Sequence, residues 1–130
     1  MRRALAALLF TGMLAACGAP GPKEIYYSMA TAAEFGDLDQ FLAGFTKESQ
    51  QIVKAQLSLS EAYGLPADNP LTMLVFPAVE SVEETPEGKA ILTLTRGSVR
   101  KRIIMSKIED VGWRIDAKEL ADFWASEKKK

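Results

Sequence analysis

Histidine is absent from the 130-residue chain, and this absence narrows the chemistry that the protein can perform. Histidine is the commonest general base near neutral pH and the commonest metal ligand in proteins. A nucleophile activated by histidine is therefore excluded, and zinc sites of the usual types are excluded because the chain also has only one cysteine. Chemistry based on carboxylates and tyrosines remains open.

Cys17 is the only cysteine, so no disulfide forms within the chain. A large excess of either charge sign is also lacking, since the chain has 16 basic and 17 acidic side chains. Such a balance offers no electrostatic reason to expect a nucleic-acid partner. Hydrophobic residues make up 48% and charged residues 25% of the chain, which is typical of a globular domain rather than a disordered one.

The longest apolar stretch, within residues 1–17, is too short to span a bilayer as a helix. Arg2 and Arg3 precede an apolar run over residues 4–10, and Leu14-Ala15-Ala16-Cys17 closes it. A positive start, an apolar middle and small residues at the end are typical of a secretory signal peptide. Residues 1–16 are therefore predicted to be removed from the mature protein.

Leu14-Ala15-Ala16-Cys17 resembles the lipobox of bacterial lipoproteins, in which the cysteine becomes the lipidated first residue of the mature chain. The resemblance implies that acylated Cys17 anchors the protein in a lipid membrane of the bacterial cell envelope. Gly18 follows, rather than the aspartate that retains enterobacterial lipoproteins in the inner membrane, which favours the outer membrane, facing the periplasm. Ordinary signal cleavage that leaves Cys17 without a role is the alternative.

Glycine and proline in residues 17–24 predict a short tether, after which three helices are expected. Apolar residues at helical spacing predict the first over residues 25–35. Asp37, with Gln40 three residues later, predicts the cap of a short second helix, and Thr46 caps a third that continues to about Tyr63.

The second half of the chain predicts strands, over residues 71–76, 78–85, 89–96, 99–109 and 113–116. Short turns between them predict an antiparallel meander, because parallel neighbours need long crossovers. A closing helical turn is expected at residues 117–124, and residues 126–130 form a basic tail. Helices followed by an antiparallel sheet define an α+β domain over residues 25–125.

Two segments of this domain resemble small NTF2-like (cystatin-like) lipoproteins: Gly36-Asp37-Leu38-Asp39 between helices, and Asp110-Val111-Gly112-Trp113-Arg114-Ile115-Asp116 at the last turn. The resemblance implies N-terminal helices packed on a curved antiparallel sheet that leaves a conical pocket. Members of the family include enzymes and binding modules, so the fold alone does not assign a function. No residue here matches a catalytic motif of the enzyme branches, and no cofactor is expected.

Four groups of side chains are candidates for a site. Glu80, Glu83 and Glu84, and likewise Asp37 with Asp39, suggest a cation site, although solvent-exposed carboxylates and a helix cap explain them as well. The basic group suggests an anionic ligand, against the alternative of pairing with Glu80–Glu84 across strands. Aromatic residues are expected in the core or in an apolar pocket. The basic and aromatic candidates are Arg96, Arg100, Lys101 and Arg102, and Tyr26, Tyr27, Trp113 and Trp124.

The sequence therefore predicts a membrane-anchored envelope lipoprotein whose domain binds without catalysis. Its ligand is expected to be a small apolar or amphipathic molecule, or else another envelope protein. An isomerase or hydro-lyase using carboxylate and tyrosine side chains is one alternative. A structural accessory subunit of an envelope complex is the other.

Overall fold

A computed structural model describes residues 19–128 of the chain. The predicted signal peptide, Cys17, Gly18 and the last two lysines lie outside the described residues. Among the residues described, no helix is long and apolar enough to cross a membrane.

Five α-helices and a 3-10 turn are formed within residues 19–128. Two predicted helix caps are confirmed: the Asp37 carboxylate accepts from Gln40 N at 3.2 Å, and the Thr46 hydroxyl accepts from Ser49 N at 3.3 Å. In chain order the elements are α1 (Pro22–Glu34), α2 (Leu38–Leu42), α3 (Lys47–Ala62), the 3-10 turn (Pro66–Asp68), α4 (Pro70–Met73) and α5 (Ala117–Lys128).

Four strands form one open antiparallel sheet in the order β1-β2-β3-β4, so the predicted meander is confirmed. Phe45 bridges to Ile115 just beyond β4, and Ile115 N donates to Gly44 O at 2.8 Å. The loop before α3 is thereby attached to the edge of the sheet. The strands are β1 (Ala78–Glu84), β2 (Lys89–Arg96), β3 (Val99–Ile108) and β4 (Gly112–Arg114).

The predicted strand at residues 71–76 is wrong, because this segment opens with the short helix α4. Pro70 occupies the first helical position, and the Asn69 side chain accepts from Leu71 N at 2.8 Å. A proline preceded by a capping asparagine starts a helix, and this local signal prevails over the apolar run. Leu74 and Phe76 are still buried, as the prediction required.

Two helices are longer than the sequence pattern predicts. Helix α1 begins at Pro22 rather than at residue 25, so residues 22–24 are helical and not part of the tether. Helix α5 runs for 12 residues to Lys128, well beyond a closing turn that ends at residue 124. The first three residues of the basic tail are therefore helical.

The core lies between α1 and the inner face of the sheet. Alternate residues of β2 and β3 point into it and have no exposed surface, namely Ala90, Leu92, Leu94, Ile103 and Met105. Tyr26 and Met29 of α1 are 1% and 3% exposed. The Tyr26 hydroxyl donates to Leu74 O and accepts from Phe76 N, both at 2.8 Å, which fixes residues 74–76 against the helix.

Gly44 marks the closest approach in this core. A Cβ at this position would lie 2.0 Å from Met29 Sδ, well inside van der Waals contact. Glycine therefore allows the loop before α3 to reach both α1 and the edge of the sheet.

Helix α5 covers the edge of β3 that β4 leaves unpaired. β4 pairs only with Ser106, Lys107 and Ile108. Beyond them, Trp124 Nε1 donates to Arg102 O at 2.6 Å, and where β4 ends the Ser106 hydroxyl donates to Glu119 at 2.9 Å. The contacts run in opposite directions along the two elements, so α5 lies antiparallel to β3.

Candidate functional site

An apolar groove of about 250 Å³ opens between α3, α4 and α5. Ile52 and Val53 of α3 form one wall, and Pro70 and Met73 of α4 form another. Phe45 and Leu74 lie at the base of the groove. Helix α5 supplies the third wall through Ala117, Leu120, Ala121 and Trp124. All of these side chains are apolar or aromatic.

The groove exists because α3 packs mainly against α4, the 3-10 turn and α5 rather than against the sheet. The inward face of α3 carries small polar residues as well as Val53 and Leu57. Ser49 and Ser60 are 2% and 3% exposed. Ala117 N donates to Ser49 Oγ at 2.8 Å, and this hydrogen bond connects the start of α3 to the start of α5. Two helices joined by a hydrogen bond at one end leave a cleft farther along.

Gln56 is the one lining residue with a polar, non-aromatic side chain among those described. Its amide Nε2 donates to Asp68 O at 3.1 Å, which directs the amide towards the 3-10 turn. The described lining contains no carboxylate, tyrosine or lysine. The groove can therefore desolvate an apolar group, but its walls offer no side chain for proton transfer.

The carboxylate candidates do not form a metal site. Glu80 pairs with Arg100 at 2.9 Å, whereas Glu83 and Glu84 are exposed on the outer strand β1. Asp37 caps α2, and Asp39 is exposed. Within residues 19–128 there is no group of three or more side chains placed to hold a metal ion.

The basic candidates are divided among several partners. The predicted pairing with the β1 glutamates is confirmed only for Arg100, which reaches Glu80 from β3, on the far side of β2. Arg102 pairs instead with Glu127 of α5. Arg96 stacks on the Phe76 ring, 4.7 Å from its centroid, and Lys101 Nζ lies 3.9 Å above the Trp124 ring.

The aromatic candidates also separate. Trp113 is buried, 6% exposed, as predicted, and Tyr26 is buried while Tyr27 is partly exposed. Burial raises the pKa of Tyr26 to about 12, although the hydrogen bond from Phe76 N and the charge of Arg96 oppose the shift. Only Trp124 of this group lines the groove.

A broader depression of about 790 Å³ lies beside the predicted tether. Ala19 and Pro20 face the β3–β4 turn across it, where Ile108 and Val111 are 37% and 53% exposed. Charged side chains of both signs surround these apolar ones: Lys107, Glu109, Asp110 and Arg114. This mixed surface is less suited to an apolar ligand than the groove.

Sequence reasoning missed most of the groove. The predicted closing turn at residues 117–124 contains Leu120 and Trp124, and the predicted third helix contains Ile52, but no pattern in the sequence brings these residues together. An amphipathic pattern can carry one such signal, an apolar stripe wider than the core covers. Ile52 widens the stripe of α3 in this way and is 54% exposed.

Comparison with known proteins finds no matching protein-family profile, no matching curated protein and no matching solved structure.

Proposed function

We propose that the domain is a non-catalytic binding module that takes a small apolar or amphipathic molecule into the groove between α3, α4 and α5. The observation that supports this proposal is the composition of the groove: its described lining is apolar apart from the amide of Gln56. An apolar group gains free energy in such a site by leaving water, at about 25 cal/mol per Å² of apolar surface buried.

The size of the groove bounds the ligand. A volume of about 250 Å³ exceeds the cavity of roughly 150 Å³ that holds benzene, and lies below the range of roughly 300–1,000 Å³ for drug-sized ligands. The proposed ligand therefore inserts a single ring or a segment of one acyl chain, and the rest of the molecule stays outside.

We also propose that the domain is of the NTF2-like type. Its proposed binding site differs from the conical pocket that the resemblance implies. The order of elements supports the assignment, with helices first and an antiparallel meander after them. The inner face of the sheet is covered, since five residues of β2 and β3 have no exposed surface and pack in one core with α1 and the other helices. The groove therefore lies beside the sheet, between helices.

The proposed location is the bacterial cell envelope, with residues 1–16 removed as a signal peptide and Cys17 lipidated. Four residues, 18–21, separate Cys17 from Pro22, the first residue of α1, so the two lie five residue steps apart. Five extended residues span about 18 Å at most. The domain would then lie against the membrane surface, where amphipathic molecules are concentrated.

Ala121→Phe tests the groove, because the added ring occupies the space that the ligand requires. N-phenyl-1-naphthylamine, an uncharged probe that fluoresces in apolar sites, reports the binding. We expect the affinity to fall about tenfold, which corresponds to ~1.4 kcal/mol. The matched control is Ala62→Phe, an exposed position at the end of α3, about 9 Å along the helix axis from Gln56 and outside the groove lining. Equal binding by the two variants would contradict the proposal.

Cys17→Ala tests the anchor independently of the groove. The variant should lose incorporation of labelled acyl chains and should either leave the membrane fraction or remain unprocessed. Labelling at the level of the natural chain would show that Cys17 is not the lipidated residue.

A further inference from the structure

We propose that the ligand of the groove is an anionic amphiphile, whose carboxylate or phosphate group is bound by Lys101 at the Trp124 end of the groove. This inference rests on the proposed function and specifies the chemical class of the ligand.

Trp124 is a wall shared by two neighbouring surface features. On one side it lines the apolar groove of about 250 Å³. On the other it lines a basic depression of about 390 Å³, together with Arg100, Lys101, Arg102, Glu127 and Lys128. A molecule with its chain in the groove therefore passes from apolar to basic surroundings across the width of one indole ring.

The indole ring is held in place at this boundary. Its Nε1 donates to Arg102 O at 2.6 Å, so the ring is fixed to the backbone of β3. Lys101 Nζ lies 3.9 Å from the ring centroid, close enough for a cation–π contact. That contact positions the ammonium in the basic depression, against the ring that also lines the groove, and leaves its N–H donors available to an incoming anion.

The depression holds two lysines, Lys101 and Lys128. Lys128 is exposed at the end of α5, whereas Lys101 is half-buried against the Trp124 ring, which favours Lys101 as the anion-binding residue.

The two arginines of the depression already have partners. Arg100 is neutralised by Glu80, and Arg102 is neutralised by Glu127. In the part of the chain from residue 19 to residue 128, no carboxylate oxygen lies within 4.0 Å of the Lys101 ammonium. A partly buried cation whose neighbours are paired, next to an apolar groove, favours a ligand that brings its own negative charge.

Three amphiphiles with the same ten-carbon chain separate the charge from the chain: decanoate, 1-decanol and decyltrimethylammonium. Each amphiphile is titrated into the purified protein at pH 8 and low ionic strength, and the displacement of bound N-phenyl-1-naphthylamine is measured. An exposed ion pair adds modestly to affinity, and a hydrogen bond to a charged group adds somewhat more. We therefore expect decanoate to displace the probe at roughly three- to tenfold lower concentration than 1-decanol, and the cation to be weakest.

Lys101→Met keeps the apolar stem over Trp124 and removes the charge. It should bring decanoate to the level of 1-decanol without changing the displacement by 1-decanol. Lys107→Met is the matched control, because Lys107 lies on the same strand and points to the same face. Its Nζ lies 5.9 Å from the centroid of the Trp113 ring, away from the groove. The preference for decanoate should persist in that variant. In 1 M salt the preference should shrink in the natural chain, since screening weakens an exposed charge.

The outcomes distinguish the two proposals. Equal displacement by decanoate and 1-decanol in the natural chain would overturn the anionic preference and leave the apolar groove supported. A preference that survives Lys101→Met, or that disappears equally in Lys107→Met, would also overturn the role of Lys101. Failure of the probe and of all three amphiphiles to bind would overturn the proposed function itself.

Discussion

The two tryptophans mark two apolar regions that are filled to different degrees. Trp113 belongs to the region between α1 and the sheet, where five residues of β2 and β3 have no exposed surface. Trp124 belongs to the region between α3, α4 and α5, where Ile52 remains 54% exposed beside an open groove. The first region determines the fold, and the second has apolar surface that residues 19–128 leave uncovered.

The difference arises from the residues that face each other. In the closed region, Gly44 lets the chain approach Met29 so closely that a methyl group would overlap it. In the open region, the inward face of α3 includes buried Ser49 and Ser60, which form hydrogen bonds and contribute little apolar surface. Close packing needs complementary apolar volumes, and α3 supplies only part of what its neighbours require.

The largest expected effect comes from removing the two indole rings in turn. Trp113→Ala should lower the free energy of unfolding by about 3–5 kcal/mol, as expected for a fully buried aromatic side chain. Trp124→Ala should cost less than half as much, because the ring is partly exposed and borders open space. Urea unfolding measures both values. Equal losses would mean that the two regions are packed alike.

An intermediate effect should appear in alkaline solution. The pKa of Tyr26 is raised to about 12 by burial, against about 10 for an unfolded tyrosine. Well below pH 10, Tyr26 is neutral in the folded and the unfolded chain, so it adds no pH dependence to the stability. Between pH 10 and pH 12 the unfolded chain loses the proton first, so stability should fall as pH rises, by about 2 kcal/mol at pH 12.

Tyr26→Phe should remove this alkaline loss, although it starts from a lower stability because Leu74 O and Phe76 N lose their partner. Tyr63→Phe is the control, since Tyr63 is 73% exposed and its removal should leave the pH profile of the natural chain unchanged. An identical profile in all three proteins would show that the Tyr26 hydroxyl is not buried in solution.

The smallest effect on stability is expected in the open region. Ile52→Ser and Leu59→Ser replace residues of equal exposure, 54% and 53%, on the same helix. Each should change the free energy of unfolding by no more than about 0.5 kcal/mol, as is usual for surface positions. Only Ile52→Ser should weaken binding of N-phenyl-1-naphthylamine, because only Ile52 lines the groove. Equal binding would remove Ile52 from the site.

Local signals predicted much of the fold. The caps at Asp37 and Thr46 depend on residues three positions apart, and the hairpins depend on short turns that force neighbouring strands to run antiparallel. Residues 71–76 show the limit of such reasoning. A short apolar run is compatible with a strand or a buried turn of helix, and here Asn69 and Pro70 decided the outcome.

The groove was not predictable in the same way. Its walls come from three helices that are distant in sequence, and their spacing depends on tertiary contacts such as Ser49 with Ala117. The partners of Lys101 and Arg102 likewise depend on where α5 lies. The basic group was recognisable from its sequence, but its relation to Trp124 required the helix to be placed on the edge of β3.

The sheet has two open edges, along β1 and along the part of β3 that β4 leaves unpaired, and they resist further strand pairing by different means. α5 occupies the open stretch of β3, and Trp124 binds a carbonyl there that an added strand would need. On the opposite side, β1 has an irregular register between Val79 and Ser81 and presents exposed Glu83 and Glu84. A bulge and a row of like charges oppose the addition of another chain. Together these features protect the domain from aggregation through the open edges of its sheet.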